Sequence, residues 1–135
     1  MFKKSDLFYI LILFFISCSS SPRYSSSNIY YGVSSFYGLN DGFDGELTAN
    51  GEIYDKDGLS AAHKTLPLNS IIEVTNLANG KTVKLKVNDR GPYIDGRILD
   101  CSYGAAKKLD FVDEGITDVR IEIIKWGDNA YKKQK

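Results

Sequence analysis

The chain has 135 residues, and its 17 basic and 17 acidic side chains cancel, which excludes the one-sided basic surface of a dedicated nucleic-acid binder. Hydrophobic residues at 43% and aromatics at 13% are enough for one packed domain, so wholesale disorder is excluded as well. Two cysteines and one histidine exclude a disulfide-dense scaffold, a four-cysteine zinc site and a multi-histidine metal centre.

Lys3 and Lys4 precede Leu7–Ile16, an unbroken apolar run. A membrane-spanning helix needs ~20 apolar residues, so this shorter run reads as an export signal over residues 1–17. Phe15-Ile16-Ser17-Cys18 resembles the bacterial lipoprotein processing site, with Phe15 where Leu is preferred. That resemblance implies cleavage before Cys18, acylation of Cys18 and a lipid anchor in a membrane. The alternative is an ordinary secreted protein, or an uncleaved anchor. Residues 18–28 are serine-rich with little to bury, and read as a flexible tether. With Cys18 lipidated, Cys101 is left unpaired, and a buried thiol is the expectation.

Beyond the tether the signals are mostly strands. Tyr30–Tyr37 is a short candidate; Ile71–Asn76 is apolar and β-branched. Asn79-Gly80 predicts a two-residue hairpin turn, both residues tolerating positive φ. Lys81–Asn88 alternates strictly, with Val83, Leu85 and Val87 on one face and Thr82, Lys84 and Lys86 on the other. Ile98–Asp100 is a further short strand. Ser102 then caps a helix whose Ala105, Ala106 and Leu109 form an apolar stripe, with Lys107 and Lys108 outward. Val119–Lys125 alternates again, and residues 126–135 form a polar tail. Short strands with one small helix predict a mainly β domain, closed into a barrel so that no sheet edge is exposed.

Three polar, Gly-rich segments lie between these strands, where a rigid scaffold would position functional residues. They are Thr48-Ala49-Asn50-Gly51-Glu52 with Tyr54-Asp55, then Ala61-Ala62-His63-Lys64-Thr65-Leu66-Pro67, then Asn88-Asp89-Arg90-Gly91-Pro92-Tyr93. The third runs through Gly96-Arg97 into Ile98-Leu99-Asp100-Cys101-Ser102. Together with Ser35-Phe36-Tyr37-Gly38, Val74-Thr75-Asn76-Leu77 and Asn79-Gly80, they resemble the rare lipoprotein A (RlpA) family from about Ile29 to Ile124. The resemblance implies a six-stranded double-psi β-barrel over residues 29–125. It also implies an endolytic lytic transglycosylase that cuts MurNAc–GlcNAc bonds of peptidoglycan to 1,6-anhydro ends, in cell-wall remodelling or daughter-cell separation. Phe36 stands where the family usually has Trp, Tyr93 where it has Phe, Cys101 where it has Leu, and Glu46 at a usually basic position. The C-terminal glycan-binding SPOR domain of many members is not expected in residues 126–135. Similar barrels occur in expansins, so a lipoprotein that binds polysaccharide without cutting it is the alternative.

The family's acidic pair and histidine correspond to Glu52, His63 and Asp89. Glycosidic cleavage needs a proton for the leaving oxygen. When the sugar's own C6 hydroxyl attacks, one carboxyl group can serve first as acid and then as base. Asp89, ending a well-defined strand, is the expected proton donor, and its neighbour Arg90 is expected to point away. Glu52 is the second carboxylate, and His63 a partner for either carboxylate or for the sugar. Tyr37, Asn50, Arg90, Tyr93 and Asp100 are the candidate substrate contacts, although Asp100 is expected first to support the helix N-terminus. Tyr37, Phe36 and Tyr93 either stack on sugar rings or plug the barrel. No cofactor or metal is called for. The expected partners are peptidoglycan glycan strands and, through Cys18, a membrane of the cell envelope; nucleic acid is not among them, and the protein is expected to be a monomer.

Overall fold

The computed structural model describes residues 28–133; the expected export signal, Cys18 and all of the expected tether but Asn28 lie outside the described residues. The elements are β1 (Ile29–Tyr37), β2 (Ser60–Ala62), β3 (Ile71–Asn76), β4 (Thr82–Asp89), β5 (Arg97–Ser102), α1 (Tyr103–Leu109) and β6 (Thr117–Lys125). The strands close into a barrel in the order β1-β5-β2-β4-β3-β6. β1 with β5 and β2 with β4 run parallel, and every other neighbouring pair is antiparallel. This is the closed six-stranded barrel expected from the sequence, and closure gives every strand a neighbour on both sides.

Alternation builds the core. Val83, Leu85 and Val87 of β4, Ile72 and Val74 of β3, and Val119, Ile121 and Ile123 of β6 all point inward and are buried. Phe111, just after α1, joins them. Phe36 packs from β1 against this core, with its ring 5.9 Å from that of Phe111, so it plugs the barrel rather than facing a ligand. The sequence alone places β2 in a loop. All three of its residues are buried, so it carries no period-two signal.

The β3–β4 turn is longer than expected. Asn76 N–H donates to Lys81 O at 2.8 Å and Gly80 N–H to Asn76 O at 2.7 Å, leaving Leu77–Gly80 as the connection. Gly80 alone in it has positive φ (77°), and Asn79 does not. The reason is tertiary: the Nδ2 groups of Asn76 and Asn79 each donate to Leu109 O at 2.9 Å, satisfying a carbonyl at the end of α1. At the other end of α1, Ser102 Oγ accepts from Ala105 N–H at 3.2 Å, as a cap should. Asp100 has no part in that cap. It lies within β5, and α1 has no acidic residue in its first turn.

Candidate active site

Strict alternation along β4 would send Asp89 the way of Val87, into the core. A bulge prevents this. Ala61 pairs with Val87 but the next residue, Ala62, pairs with Asp89, so Asn88 is the extra residue. Val87 and Asn88 are therefore both buried, and Asp89 emerges on the other side. Parallel pairing brings the ends of β1, β2, β4 and β5 together. Ser35 is opposite Asp100 in one pair, and Ala62 is opposite Asp100 in the next. The result is a cleft of about 320 Å³ in which Asp89, Asp100, Tyr37, Phe43, Leu47 and Tyr93 meet.

The two oxygens of Asp89 are bound differently. Oδ1 accepts the backbone N–H groups of Ala49 and Arg90, both at 3.0 Å. Oδ2 accepts, among the described residues, the Tyr37 hydroxyl alone, at 2.9 Å. The Tyr37 ring stacks on Tyr54 at 4.4 Å, and the Tyr54 hydroxyl donates to Tyr37 O at 2.7 Å. Burial, then the charge and hydrogen bond of Asp89, push the Tyr37 phenol well above its ordinary range, so it stays a proton-bearing donor. Asp100 accepts the Ser35 hydroxyl on the neighbouring strand. Arg90 turns away from Asp89. Its guanidinium donates to His63 O at 3.1 Å, Leu66 O at 2.6 Å and Asn129 Oδ1 at 3.2 Å.

Glu52, His63 and Asn50 do not line this cleft. They sit in the two loops that flank Asp89, one bonding it through Ala49 N–H and the other through His63 N–H, which donates to Asp89 O at 3.1 Å. Glu52 is not a direct partner of Asp89. Its carboxylate accepts Asn50 Nδ2 at 2.6 Å and Lys86 Nζ at 2.9 Å. Burial raises the Glu52 pKa, but the bonds from Asn50 and Lys86 outweigh it and hold the group below its ordinary value. Asn50, a candidate substrate contact, is 1% exposed; its Oδ1 accepts from Thr48 Oγ1 and Glu52 N–H, and its Nδ2 donates to Glu52 and Asn69. It locks the loop instead of facing ligand. His63 Nδ1 accepts the N–H groups of Thr65 at 3.1 Å and Leu66 at 3.0 Å, and among the described residues no carboxylate is bonded to its ring. Burial, Arg90 and Lys64 lower its pKa to about 4, so the ring is neutral at pH 7 with its proton on Nε2.

The sequence reading missed Phe43 and Leu47, which are 54% and 56% exposed in the cleft. The Phe43 ring lies edge-on to Tyr37 at 5.8 Å. A signal was present, since Gly42 and Gly45 bracket Phe43 in a turn that holds the aromatic out of the core. Tyr93, 80% exposed, also lines the cleft and presents an aromatic face that can stack on a flat ligand face.

Residues 30–121 match the family model described as "Lytic transglycolase". The chain is 50% identical over 96 residues to the "Endolytic peptidoglycan transglycosylase RlpA" of Campylobacter jejuni, an overlap of 71% of this chain and 34% of that protein. It is 55% identical over 93 residues to the Vibrio cholerae protein of the same name, covering 69% of this chain and 35% of the relative. The chain thus spans about a third of the length of these curated relatives. Among solved structures, the Streptomyces papain inhibitor superposes with a TM-score of 0.58 at 22% identity, covering 73% of this chain and 96% of that one. An expansin from Clavibacter michiganensis superposes with a TM-score of 0.58 at 19% identity, covering 72% and 50%. At such identities these two likenesses speak for the fold alone. A family match over most of the barrel, on a fold with the expected closure, makes this chain a member of the lytic transglycolase family.

Proposed function

We propose that this domain cuts peptidoglycan glycan strands endolytically by transglycosylation, leaving 1,6-anhydro ends. The observation that carries the reading is the asymmetry of Asp89. Two backbone N–H groups anchor Oδ1, while Oδ2 has, among the described residues, the Tyr37 hydroxyl alone, and Asp89 lines the cleft. Such an oxygen can exchange a proton with a ligand without disturbing the fold.

The steps balance on that oxygen. Protonated Asp89 gives its proton to the glycosidic oxygen as the bond from MurNAc C1 breaks. The C6 hydroxyl of the same sugar bonds to C1 and gives its proton back to Asp89, so no water is consumed. Tyr37, rotating as the proton moves, serves as donor or acceptor to Oδ2. Tyr93 and Phe43 offer ring faces to flanking sugars, and Asp100 accepts a sugar hydroxyl. Glu52 and His63 act through the loops that bracket Asp89. The ionised Glu52, bonded to Asn50, steadies the segment whose Ala49 N–H anchors Oδ1.

The test is digestion of purified peptidoglycan by the full chain, with 1,6-anhydro muropeptides read by mass spectrometry. Asp89→Asn keeps the size and polarity of the side chain but has no acidic proton, and should cost at least ~10²-fold in turnover while fold and glycan affinity survive. Glu52→Gln should lower turnover less. Wild-type binding without anhydro product would replace this reading with the expansin-like one. Turnover unaffected by Asp89→Asn would move the proton donor elsewhere, with Asp100 next.

The cell envelope is the compartment we propose, with Cys18 as the acylated residue that tethers the barrel to a membrane. Fatty-acid-analogue labelling in cells should mark the wild type and not Cys18→Ser; an unlabelled wild type would refute the anchor.

A further inference from the structure

The segment after β6 was expected to be no more than a polar tail. Residues 126–132 instead fold back across the barrel end beside the candidate site. Gly127 N–H donates to Ser70 Oγ at 2.9 Å. Asn129 exchanges two bonds with Leu68, its N–H donating to Leu68 O and its Oδ1 accepting Leu68 N–H, both at 3.0 Å. Asn69 Nδ2 donates to Asp128 Oδ1 at 2.7 Å and Ala130 O at 3.0 Å. Lys132 N–H donates to Asn50 O at 2.6 Å. The approach is close enough to constrain sequence. A side chain on Gly127 would collide with Leu68 O at 2.2 Å, and one on Gly51, itself at positive φ, with Lys132 O at 2.1 Å. The segment lies wholly outside the family match, which ends at residue 121.

Its contacts fall on both loops that hold Asp89. On one side Asn129 Oδ1 takes Arg90 Nη2, and the same guanidinium grips His63 O and Leu66 O. On the other side Lys132 holds Asn50, next to the Ala49 N–H that anchors Asp89 Oδ1. Asn69 links the two, because its Oδ1 accepts Asn50 Nδ2 at 2.9 Å.

We infer that residues 126–132 are a strap that sets the position of the Asp89 carboxylate, with Asn129 and Asn69 as positioning residues for the cleavage reaction. The catalytic half of this inference rests on the function proposed above; the structural half does not. The exposed apolar faces of the cleft come from Phe43, Leu47 and Tyr93, none of them bonded to the strap, and Arg90, which also lines the cleft, spends its guanidinium on His63 O, Leu66 O and Asn129, so loosening the strap changes turnover more than affinity. A displacement of even ~1 Å in a reacting group can cost up to ~10²-fold.

The experiment uses the full chain with Asn129→Gly, which keeps the left-handed backbone (φ 58° in the native residue) and deletes only the side chain. Asn129→Asp retains the Oδ acceptor for Leu68 and Arg90 and is the rescue variant. Asn69→Gly, also at a positive-φ position, tests the strap's other arm and stands in where Asn129→Gly does not fold. Amide hydrogen exchange is followed at residues 48–52 and 63–66, alongside kcat and KM on peptidoglycan. Expected in both glycine variants is faster exchange in both loops and a kcat lowered about tenfold with KM nearly unchanged. Asn129→Asp should restore the native values. Unchanged exchange, a loss confined to KM, or failure of Asn129→Asp to rescue would each overturn the strap. If the wild type makes no anhydro product, the proposed function falls, and the exchange rates still decide whether the strap holds the loops.

Discussion

Cys101 Sγ lies 3.3 Å from Ser34 Oγ in the barrel wall, with no exposed surface. Burial pushes the thiol up to about 12, against a smaller lowering by the Ser34 hydroxyl, so at neutral pH the nucleophilic thiolate is scarce. A maleimide should label Cys101 in the native domain far more slowly than in denatured protein; rapid stoichiometric labelling would contradict this burial. Cys101→Val should cost about 1–3 kcal/mol, because it adds roughly one methyl group at a fully buried site, while Ser34 Oγ keeps its bond to Ser35 O; a larger loss would mean that the Sγ contact itself is needed.

Two strand-scale devices shape the site and its support. The β4 bulge at Asn88 turns Asp89 out of the core, and without it the inward row of Val83, Leu85 and Val87 would end on a buried carboxylate. The β3–β4 hairpin is tied to α1 and β6 by Asn76, which is 1% exposed. Its Nδ2 donates to Leu109 O, and its Oδ1 accepts Ala78 N–H and the Thr117 hydroxyl. Asn76→Ala would leave buried donors and acceptors without partners, a loss of about 2 kcal/mol or more. The denaturation midpoint should fall with the m-value unchanged, and a shift of a few tenths of a kcal/mol would mean that Asn79, the second donor to Leu109 O, suffices alone.

At the scale of the molecule, the turn after β2 couples fold stability to pH. Neutral His63 accepts two backbone N–H groups on Nδ1, which a protonated ring cannot do. Its pKa is lowered from the ordinary 6.5 to about 4 in the native state, chiefly by burial. The unfolded chain therefore takes up the proton first. Stability is fully present above about 6.5 and is lost as the pH falls toward about 4. The melting temperature should drop between pH 7 and pH 5. In His63→Asn, whose Oδ1 can accept without titrating, that drop should shrink. Equal pH dependence in the two proteins would assign the effect to groups other than His63.

The barrel's long strands follow from local patterning. The apolar, β-branched run Ile71–Asn76, the alternation in Lys81–Asn88 and Val119–Lys125, and Ser102 before an apolar helical stripe specify those elements from neighbours along the chain. The motifs around Glu52, His63 and Asp89 likewise carry the family in sequence. Tertiary structure decided the rest. Ser60–Ala62 became a strand because it is buried on all sides between β4 and β5, a setting that erases periodicity. Asp89 met Tyr37 and Asp100, while Glu52 paired with Lys86, because barrel register and a single bulge determine which side chains share a face. Residues 126–132 found their role only against Leu68, Asn69 and Asn50. Periodicity is a property of near neighbours along the chain. Register, bulge and strap are fixed by residues tens of positions apart, whose contacts exist only once the barrel has closed.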